Sequence, residues 1–447
     1  MKQIVLFCGV LIAGFKGMAQ PADTLRFSIP EAIRYAVQHN PQLKATELDE
    51  TSNEFKIKEV KSSTLPQITG SASGTDNFQR ATQLLPGEML GQPGTVVPVQ
   101  FGTRFVYSGG VQLNQVLYNP SISTALNAAK ESQSLYKLQS FKTTEDLIFN
   151  ITNIFVQMEM VRRQKELVEG NMERMETLIK ITTIQFQEGI IKKVDLDQLK
   201  VNNTNLQTQL SNIENEYAQL ENNMKLLLNV DVDQPVVITR NNESNVPVSM
   251  LLNTEYNTEL NILDKQIQLQ HLNTQNLKAG YKPTVSLVAN FNRQWQTNQL
   301  FNGSSTSGFN AGYYGLNVSI PIFDGFTKKN KIAQSNIAVK KLELNKQYLT
   351  KNIQTQFKTA TNTLSQNQKV LKAQEENMRL AGELYNVAKL SYTEGISALS
   401  ELINAENGLR EAQSQYLTAM LQTNIAELET MRSSGQLSQL IKTKQPK

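Results

Sequence analysis

The chain repeats its own sequence once, at a shift of about 206 residues. The segment Phe186 to Ile190 (FQEGI) recurs as Tyr392 to Ile396 (YTEGI). Nearer the start of each copy, Leu65-Pro66-Gln67-Ile68 aligns with Lys282-Pro283-Thr284-Val285 at a shift of 217. Self-similarity of this kind indicates two copies of one structural unit, which we assign to residues 24–235 and 236–431. Residues 432–447 are predicted to be a flexible C-terminal tail.

Both copies have the same predicted order of elements: a helix, two strands, a very long helix and a last helix. The first copy has predicted helices at about 28–62, 123–187 and 195–228 and strands at about 66–79 and 100–118. The second has predicted helices at about 248–279, 327–393 and 399–431 and strands at about 283–298 and 309–323. The first copy carries about 12 extra residues within the stretch from Leu85 to Pro98. We predict a loop there, because insertions concentrate in loops.

The long helical segments carry apolar residues at alternating steps of three and four. Two such series are Leu206, Leu210, Ile213, Tyr217, Leu220 and Leu402, Ala405, Leu409, Ala412, Tyr416. A sustained period of 3.5 residues predicts supercoiled helices that pack knobs into holes. At about 1.5 Å per residue, a helix of about 65 residues is roughly 100 Å long. The helices alone are equally compatible with a soluble coiled-coil rod.

The four strand segments favour a membrane sheet over a rod. Several alternate apolar and polar residues, as in Val111-Gln112-Leu113-Asn114, and each is long enough for the 9–11 residues of a tilted membrane strand. Aromatic residues near the strand ends predict a girdle at the membrane interface: Phe78, Tyr107, Phe291, Trp295, Tyr313 and Tyr314. The alternative is a pair of hairpins packed on a soluble core.

The number of strands predicts an oligomer. Open sheet edges cannot lie in hydrocarbon, and known bacterial membrane barrels begin at eight strands. Four strands per chain therefore require several copies to share one barrel. Two copies would supply eight strands and three would supply twelve, and the strand count does not choose between them.

Residues 1–20 have the pattern of a secretory signal peptide. Lys2 supplies a positive start, an apolar run from Ile4 to Phe15 is too short to span a bilayer, and small residues precede a cleavage site near Ala19. Cys8 lies inside this segment, so the mature chain is expected to have no cysteine chemistry. Its formal charge would fall from +4 to +2, and it has no basic tract of the kind that binds nucleic acid.

Taken together, several segments resemble the outer membrane efflux protein family (TolC-like). They are the early Leu25-x-x-Ser28-x-x-Glu31-Ala32-Ile33, the Leu-Pro-x-Ile entry to a strand, Pro321-Ile322-Phe323-Asp324-Gly325, and the Glu-Gly hairpins followed by an acidic residue and leucine. The resemblance implies a mostly α-helical fold with a membrane β part. It implies a homotrimer in which an α-helical barrel continues into a 12-stranded β-barrel, with four strands per chain. The resemblance, and not the periodicity, favours three copies over two.

The resemblance also implies a location, a function and partners. The chain would lie in the outer membrane lipid with most of its length in the periplasm. It would be the passive exit channel of a tripartite efflux pump or type I secretion system, working with a periplasmic adaptor and an inner-membrane pump. In that family the hairpin ends form the periplasmic tip that docks the adaptor, and these ends carry Glu188, Gly189, Glu394 and Gly395 here. A glycine that merely ends a helix is the alternative reading.

The family also has an aspartate facing the closed pore six residues beyond the second glycine, and another three residues later. Glu401 and Asn404 occupy these positions here, and Asp195 and Gln198 are their counterparts in the first copy. In a trimer Glu401 would form a ring of three carboxylates, which attracts cations. Asn404 departs from the family pattern and halves the expected charge. The alternative is a solvated charge at a helix start, where the helix dipole favours it.

Other functions are less compatible with the sequence. A periplasmic adaptor has one helical hairpin flanked by compact β domains, whereas this chain has two hairpins. A structural coiled-coil protein of the cell envelope would not need the strands. His39 and His271 lack metal-site spacing, and the glycines from Gly303 to Gly308 are followed by Phe309 and Asn310 where a P-loop needs Lys and Ser or Thr. We therefore expect no enzyme activity, cofactor or metal site.

Overall fold

The computed structural model describes residues 25–239, 252, 257–300 and 307–437. The predicted signal peptide and residues 438–447 of the predicted tail lie outside these ranges. The helices are α1 Ile29–His39, α2 Pro41–Ser62, α3 Pro120–Gln187, α4 Lys193–Leu228, α5 Thr258–Ala279, α6 Thr327–Thr393 and α7 Leu399–Ser433. The strands are β1 Leu25–Ser28, β2 Gln67–Asp76, β3 Thr82–Pro86, β4 Val96–Gln100, β5 Phe105–Tyr118, β6 Val236–Thr239, β7 Thr284–Thr297 and β8 Ser307–Ser319. No helix in the described ranges is both long and apolar enough to cross a membrane.

The chain forms two compact units, and α3 and α6 contribute residues to both. Of the described residues, the helical unit contains 25–45, 141–239, 252, 257 and 351–437, and the sheet unit contains 46–140, 258–300 and 307–350. In the helical unit, β1 pairs in parallel with β6. This pairing joins the starts of the two sequence copies, which lie more than 200 residues apart in the chain.

The core of the helical unit follows the predicted heptads, with a difference between the copies. In α4 the buried residues Leu206, Ile213 and Leu220 follow one another at steps of seven. At the equivalent positions α7 has the buried residues Ala412, Ala419 and Ala426, again at steps of seven. Because alanine has only a methyl side chain, α7 leaves less room than α4 for any larger residue at these positions.

The sheet unit contains a four-stranded antiparallel sheet with the order β2-β5-β7-β8. Helices α2 and α5 precede β2 and β7, and helices α3 and α6 follow β5 and β8. All four helices therefore join the sheet at the same end, and the β2–β5 and β7–β8 connections lie at the other end, which we call the loop end. Strands β2 and β8 are the two edges of the sheet.

The prediction of one continuous helix over 28–62 is wrong, because α1 ends at His39 and a separate helix, α2, begins at Pro41. Between them, Asn40 has an extended backbone with ψ 123°. A residue before proline is pushed out of the helical region by the proline ring. The Asn40 side chain then accepts hydrogen bonds from the backbone N–H groups of Gln42 and Leu43 at 2.9 and 3.2 Å, and so caps α2. A capping box starts α1, with Glu31 accepting from the Ser28 N–H at 2.8 Å.

Two predicted strands and the predicted loop also differ in detail. Strand 100–118 is interrupted after Gln100, because Gly102 adopts a left-handed φ of 83° that a strand cannot continue. The predicted loop between Leu85 and Pro98 is mostly the connection of the short hairpin β3–β4, with a 3-10 helix at Gly87–Leu90, and only its ends lie in the two strands. Strand 309–323 ends earlier, at Ser319, two residues before a proline that cannot donate to the ladder.

Two predicted helix boundaries move as well. Helix 248–279 begins at Thr258, and of the ten residues before it the structure describes 252 and 257, both outside the helix. The last helix runs on to Ser433, so the predicted tail is ordered at its start. Leu437 is buried there against Phe149, Leu428 and Met431, which gives this part of the tail an apolar anchor.

Candidate functional site

The two helical hairpins end in the same backbone motif. Gly189 after α3 and Gly395 after α6 have φ angles of 73° and 72°. The Ile190 N–H donates to the Gln185 carbonyl at 2.8 Å, and the Ile396 N–H donates to the Ser391 carbonyl at the same distance. This is the Schellman ending of a helix, in which a left-handed glycine lets the chain turn back while the last carbonyls keep their donors.

The surface of the hairpin ends is exposed and partly apolar. Glu188, Gly189, Glu394 and Gly395 are all exposed. The two isoleucines that follow the glycines are 70% and 80% exposed. In an isolated Schellman motif this position commonly packs back on its own helix. Each hairpin end therefore has a solvent-exposed isoleucine close to the carboxylate of a glutamate.

The four predicted aperture residues have different local roles. Asp195 accepts a hydrogen bond from the backbone N–H of Lys192 at 3.3 Å, and so closes the start of α4. Glu401 occupies the corresponding third position of α7 and is exposed. Gln198 and Asn404 are also exposed, one turn further along their helices. The copies are therefore equivalent in backbone, but the Asp195 carboxylate serves as a helix cap.

A hydrogen bond joins the two hairpins just above their ends. The Tyr392 hydroxyl on α6 donates to the Gln185 side-chain oxygen on α3 at 2.6 Å. Tyr392 is 8% exposed, so this bond lies in a mostly dry contact. A hydrogen bond of this kind adds about 0.5–1.5 kcal/mol to the contact.

A buried charged cluster that the sequence reasoning missed lies further along α7. Glu406 is 3% exposed, and neither of its carboxylate oxygens has a hydrogen-bond partner within the described residues. Arg174 on α3 is its nearest cation, with Nε 3.6 Å from Oε2. The Arg174 guanidinium also lies 5.7 Å from the ring centre of Tyr385 on α6. The cluster therefore ties three helices together through one carboxylate.

Burial dominates the electrostatics of this cluster. Desolvation raises the pKa of Glu406, and the positive charges of Arg174 and Arg410 oppose that rise only in part. Burial also raises the pKa of the Tyr385 hydroxyl, with the Glu406 charge adding to the effect. One signal in the sequence could have found the site, because Glu406 lies on the apolar stripe between Ile403 and Leu409.

The four-stranded sheet has one apolar face. Cross-strand partners share a face, and the register puts Leu113 beside Ile68 and Ala289, and Leu287 beside Leu316. Most other residues of this face have apolar side chains or are glycines: Gly70, Ala72, Gly74, Phe105, Tyr107, Gly109, Val111, Val285, Phe291, Trp295, Gly308, Gly312, Tyr314 and Val318. The polar or charged exceptions are Asp76, Gln115, Arg293, Thr297 and Asn310, and all of these except Gln115 lie toward the loop end.

The opposite face of the same sheet is polar. It carries Gln67, Thr69, Ser71, Ser73, Thr75, Ser108, Gln112, Asn114, Thr284, Ser286, Asn290, Asn292, Gln294, Gln296, Asn317 and Ser319. Ser73 and Ser108 form a hydrogen bond across two strands at 2.8 Å. A sheet with this division suits hydrocarbon on one side and water on the other.

The six predicted girdle aromatics are not all on one face. Tyr107 and Trp295 are cross-strand partners on the apolar face near the loop end, whereas Phe291 and Tyr314 lie nearer its middle. Tyr313 pairs with Asn290 and therefore lies on the polar face. Phe78 follows β2 in the loop and is 87% exposed. Trp295 and Tyr107 thus mark the outer boundary of the apolar face.

The family model for outer membrane efflux proteins matches residues 32–230 and 259–436. The chain belongs to this family. Each matched range covers one of the two sequence copies, including its hairpin and its pair of long strands. Members of the outer membrane efflux family lie in the outer membrane, and so does this chain, with its helical part in the periplasm. No curated protein sequence matched the chain.

Solved structures of outer membrane proteins and channels have the same fold. CusC matches with a TM-score of 0.73 and 16% identity, over 93% of this chain and 95% of CusC. The outer membrane protein VceC of Vibrio cholerae matches with a TM-score of 0.71 and 13% identity, over 91% of this chain and 96% of VceC. The CmeC outer membrane channel of Campylobacter jejuni matches with a TM-score of 0.72 and 15% identity, over 93% and 88%. The predicted fold class, mostly α-helical with a membrane β part, is confirmed.

No group of three or more His, Cys, Asp or Glu side chains in the described ranges is arranged to hold a metal ion.

Proposed function

We propose that this chain is one subunit of a homotrimeric exit channel, which passes substrate from an inner-membrane pump and a periplasmic adaptor across the outer membrane. The two-faced sheet with open edges at β2 and β8 carries this proposal. Its apolar face suits lipid, but its unpaired edges could not lie there alone. Edge-to-edge pairing of copies satisfies both edges, and three copies give a barrel of twelve strands. The choice of three rests on family membership.

The polar face supplies the lining of the proposed pore. Most of its side chains are amides and hydroxyls, with Val106, Val288, Phe309 and Tyr313 among them, and none of the paired residues on this face is charged. Uncharged polar linings hydrate a lumen without selecting strongly for one sign of ion. This suits a passive duct for varied substrates, in a tripartite efflux pump or in type I secretion.

The hairpin ends supply the proposed periplasmic aperture and docking surface. In a trimer the three exposed Glu401 side chains would form a carboxylate ring at the first turn of α7, and Asn404, one turn further along, would add a polar ring without charge. Asp195 takes no part in this proposal, because its carboxylate caps α4. The exposed Ile190 and Ile396, with the adjacent Glu188 and Glu394, would be the surface that meets the adaptor.

Two measurements on the purified protein test the channel. Native mass spectrometry in detergent should give three copies per particle, and a planar bilayer containing the protein should show single-channel conductance. A stable monomer, or a trimer that never conducts under any voltage or salt condition, would refute the proposal. A soluble adaptor or a coiled-coil rod would not conduct, whatever its number of copies.

Docking needs a separate experiment in intact cells. A photo-crosslinking residue at Ile396 should form a crosslink to a periplasmic adaptor, whereas the same residue at Glu429, exposed on α7 but about 30 residues away, should not. If both positions or neither capture an adaptor, the hairpin ends are not its specific docking surface.

A further inference from the structure

An arginine interrupts the apolar face on β7. Along β7 this face runs Val285, Leu287, Ala289 and Phe291, and the next residue on it is Arg293. Arg293 is the one cationic residue among the paired residues of this face. Within the described residues it has no ion pair and no hydrogen bond, and its side chain is exposed. A lipid-facing arginine is strongly unfavourable at the centre of a membrane and much less so near its boundary.

The position of Arg293 along the strand matches that boundary. It is followed on the same face by Trp295, whose partner on β5 is Tyr107. Both are aromatic residues of the kind that lie at headgroup level. Arg293 is also four residues from the end of β7 at the loop end, far from the helices. Because the helices are periplasmic, the loop end faces the outer leaflet.

The local geometry fixes how the guanidinium is presented. Its Cζ lies over the Trp295 ring, 5.3 Å from the ring centre, within the range of a cation–π contact. The guanidinium has N–H donors that can form two parallel bonds to an oxyanion. Arg293 is therefore oriented by the protein and lacks only an anion.

Glycines flank the pair on both neighbouring strands. A Cβ on Gly308 would lie 3.1 Å from Trp295 Cδ1, so the indole would have to shift by a few tenths of an ångström, and 3.5 Å from Arg293 Nη2, which is an ordinary contact. On the other flank, Gly109 leaves the indole edge uncovered, with Trp295 Cζ3 3.9 Å from where its Cβ would be. Across from Arg293, the exposed Asn310 side chain on β8 adds an amide donor.

We propose that Arg293, in cation–π contact with Trp295 between Gly109 and Gly308, binds the phosphate group of an anionic lipid in the outer leaflet of the outer membrane. The inference rests on the proposed function, because that function puts the apolar face of the sheet in lipid. A bidentate bond from Arg293 would carry the phosphate, and Asn310 would contact the neighbouring polar part of the headgroup. Three copies of the chain give three such sites around the barrel.

Native mass spectrometry of the detergent-solubilised protein tests the site with a defined probe. Diphosphorylated lipid A is titrated into the native protein and into Arg293→Gln, with Lys372→Gln, an exposed lysine on α6, as the charge-matched control. We expect up to three bound lipids per trimer. Loss of a charge-assisted bidentate contact should weaken binding roughly tenfold in Arg293→Gln, and binding by Lys372→Gln should equal that of the native protein. Arg293→Lys, which keeps the charge but loses the planar fork, should fall between the two.

Two further probes separate a lipid site from a general anion site. Dephosphorylated lipid A should bind no better to the native protein than to Arg293→Gln, and inorganic phosphate at the same concentration should give no retained adduct. Equal lipid A binding by the native protein and Arg293→Gln would overturn the proposal, as would equal retention of inorganic phosphate. The same spectra report the number of chains, so a trimer without selective lipid binding refutes this inference alone. Absence of a trimer counts against the proposed function.

Discussion

The buried carboxylate of Glu406 allows a quantitative prediction about the stability of the helical hairpins. Arg174→Met removes the nearest cation from a side chain that is 4% exposed, whereas Glu406→Met leaves an arginine that is 31% exposed and can reach water. The two single changes should therefore have unequal costs. Leaving a buried charge without its partner costs about 3–5 kcal/mol, and we expect the lower end, about 3 kcal/mol, because Arg410 still offsets part of the charge.

The other variants of the cycle have smaller expected effects. Glu406→Met should cost about 1 kcal/mol or less, since the remaining arginine can be hydrated. The double variant should be close to the native protein, because a buried ion pair replaced by apolar side chains of similar size is often neutral. The expected coupling energy is therefore about 3–4 kcal/mol and favourable to the pair.

Hydrogen exchange by mass spectrometry measures this effect locally, in peptides from the first half of α7. A change of about 3 kcal/mol corresponds to exchange that is roughly 100-fold faster after correction for intrinsic rates. Peptides from α5, in the other unit, serve as the internal control and should not change. If Arg174→Met and Glu406→Met prove equally costly, or if the double variant is as unstable as Arg174→Met, the pairing assigned to Glu406 is wrong.

The pH dependence of the same cluster has a defined sign. The pKa of Glu406 in the folded state is raised above its ordinary value near 4.5. Between these two pKa values the folded state holds the proton more tightly than an opened state, so lowering the pH through this window stabilises the hairpin at Glu406. The gain should be larger in Arg174→Met, which loses one opposing positive charge, and absent in Glu406→Gln. If corrected exchange in Glu406→Gln slowed at low pH as much as it does in the native protein, another titratable group would be responsible for the effect.

The remaining predictions concern the hairpins and the aperture. Glu401→Gln should reduce the block of conductance by divalent cations, whereas Glu429→Gln, which removes the same charge further along α7, should not; equal block in both would exclude the carboxylate ring. Gly395→Ala should lower local stability by about 1 kcal/mol because of its left-handed φ of 72°. Gly408→Ala, in a helix with open space around it, should instead raise stability by about 0.4–1 kcal/mol. The same hydrogen-exchange measurement reports both changes. Ala419→Leu should lower the free energy of unfolding by about 1–3 kcal/mol through overpacking. Ile213→Leu, the matched change in the first copy, should lower it by less than about 1.5 kcal/mol. Thermal denaturation of the trimer compares the two variants, and equal costs would contradict the closer packing of α7.

Much of the fold could be predicted from the sequence, because its signals are local and periodic. The 3.5-residue period marked the helices whose residues Leu206, Ile213 and Leu220 are buried, and the alternation in β7 marked a strand with two different faces. The end of each hairpin was also readable, since Gly189 and Gly395 occupy backbone conformations that other residues rarely adopt. The break at Asn40 was readable as well, and was missed although Pro41 stands directly after it.

Other features depended on contacts between residues distant in the chain, and only the tertiary structure decided them. The β1–β6 pair joins residues more than 200 positions apart, and no local pattern announces it. The register of β8 against β7 puts Tyr313 on the polar face and Tyr314 on the apolar one, which alternation alone leaves undetermined. Burial of Glu406 depends on Arg174 and Tyr385 from two other helices. A periodic sequence specifies which face of an element is apolar, but the free energy of a charge depends on what folding brings beside it.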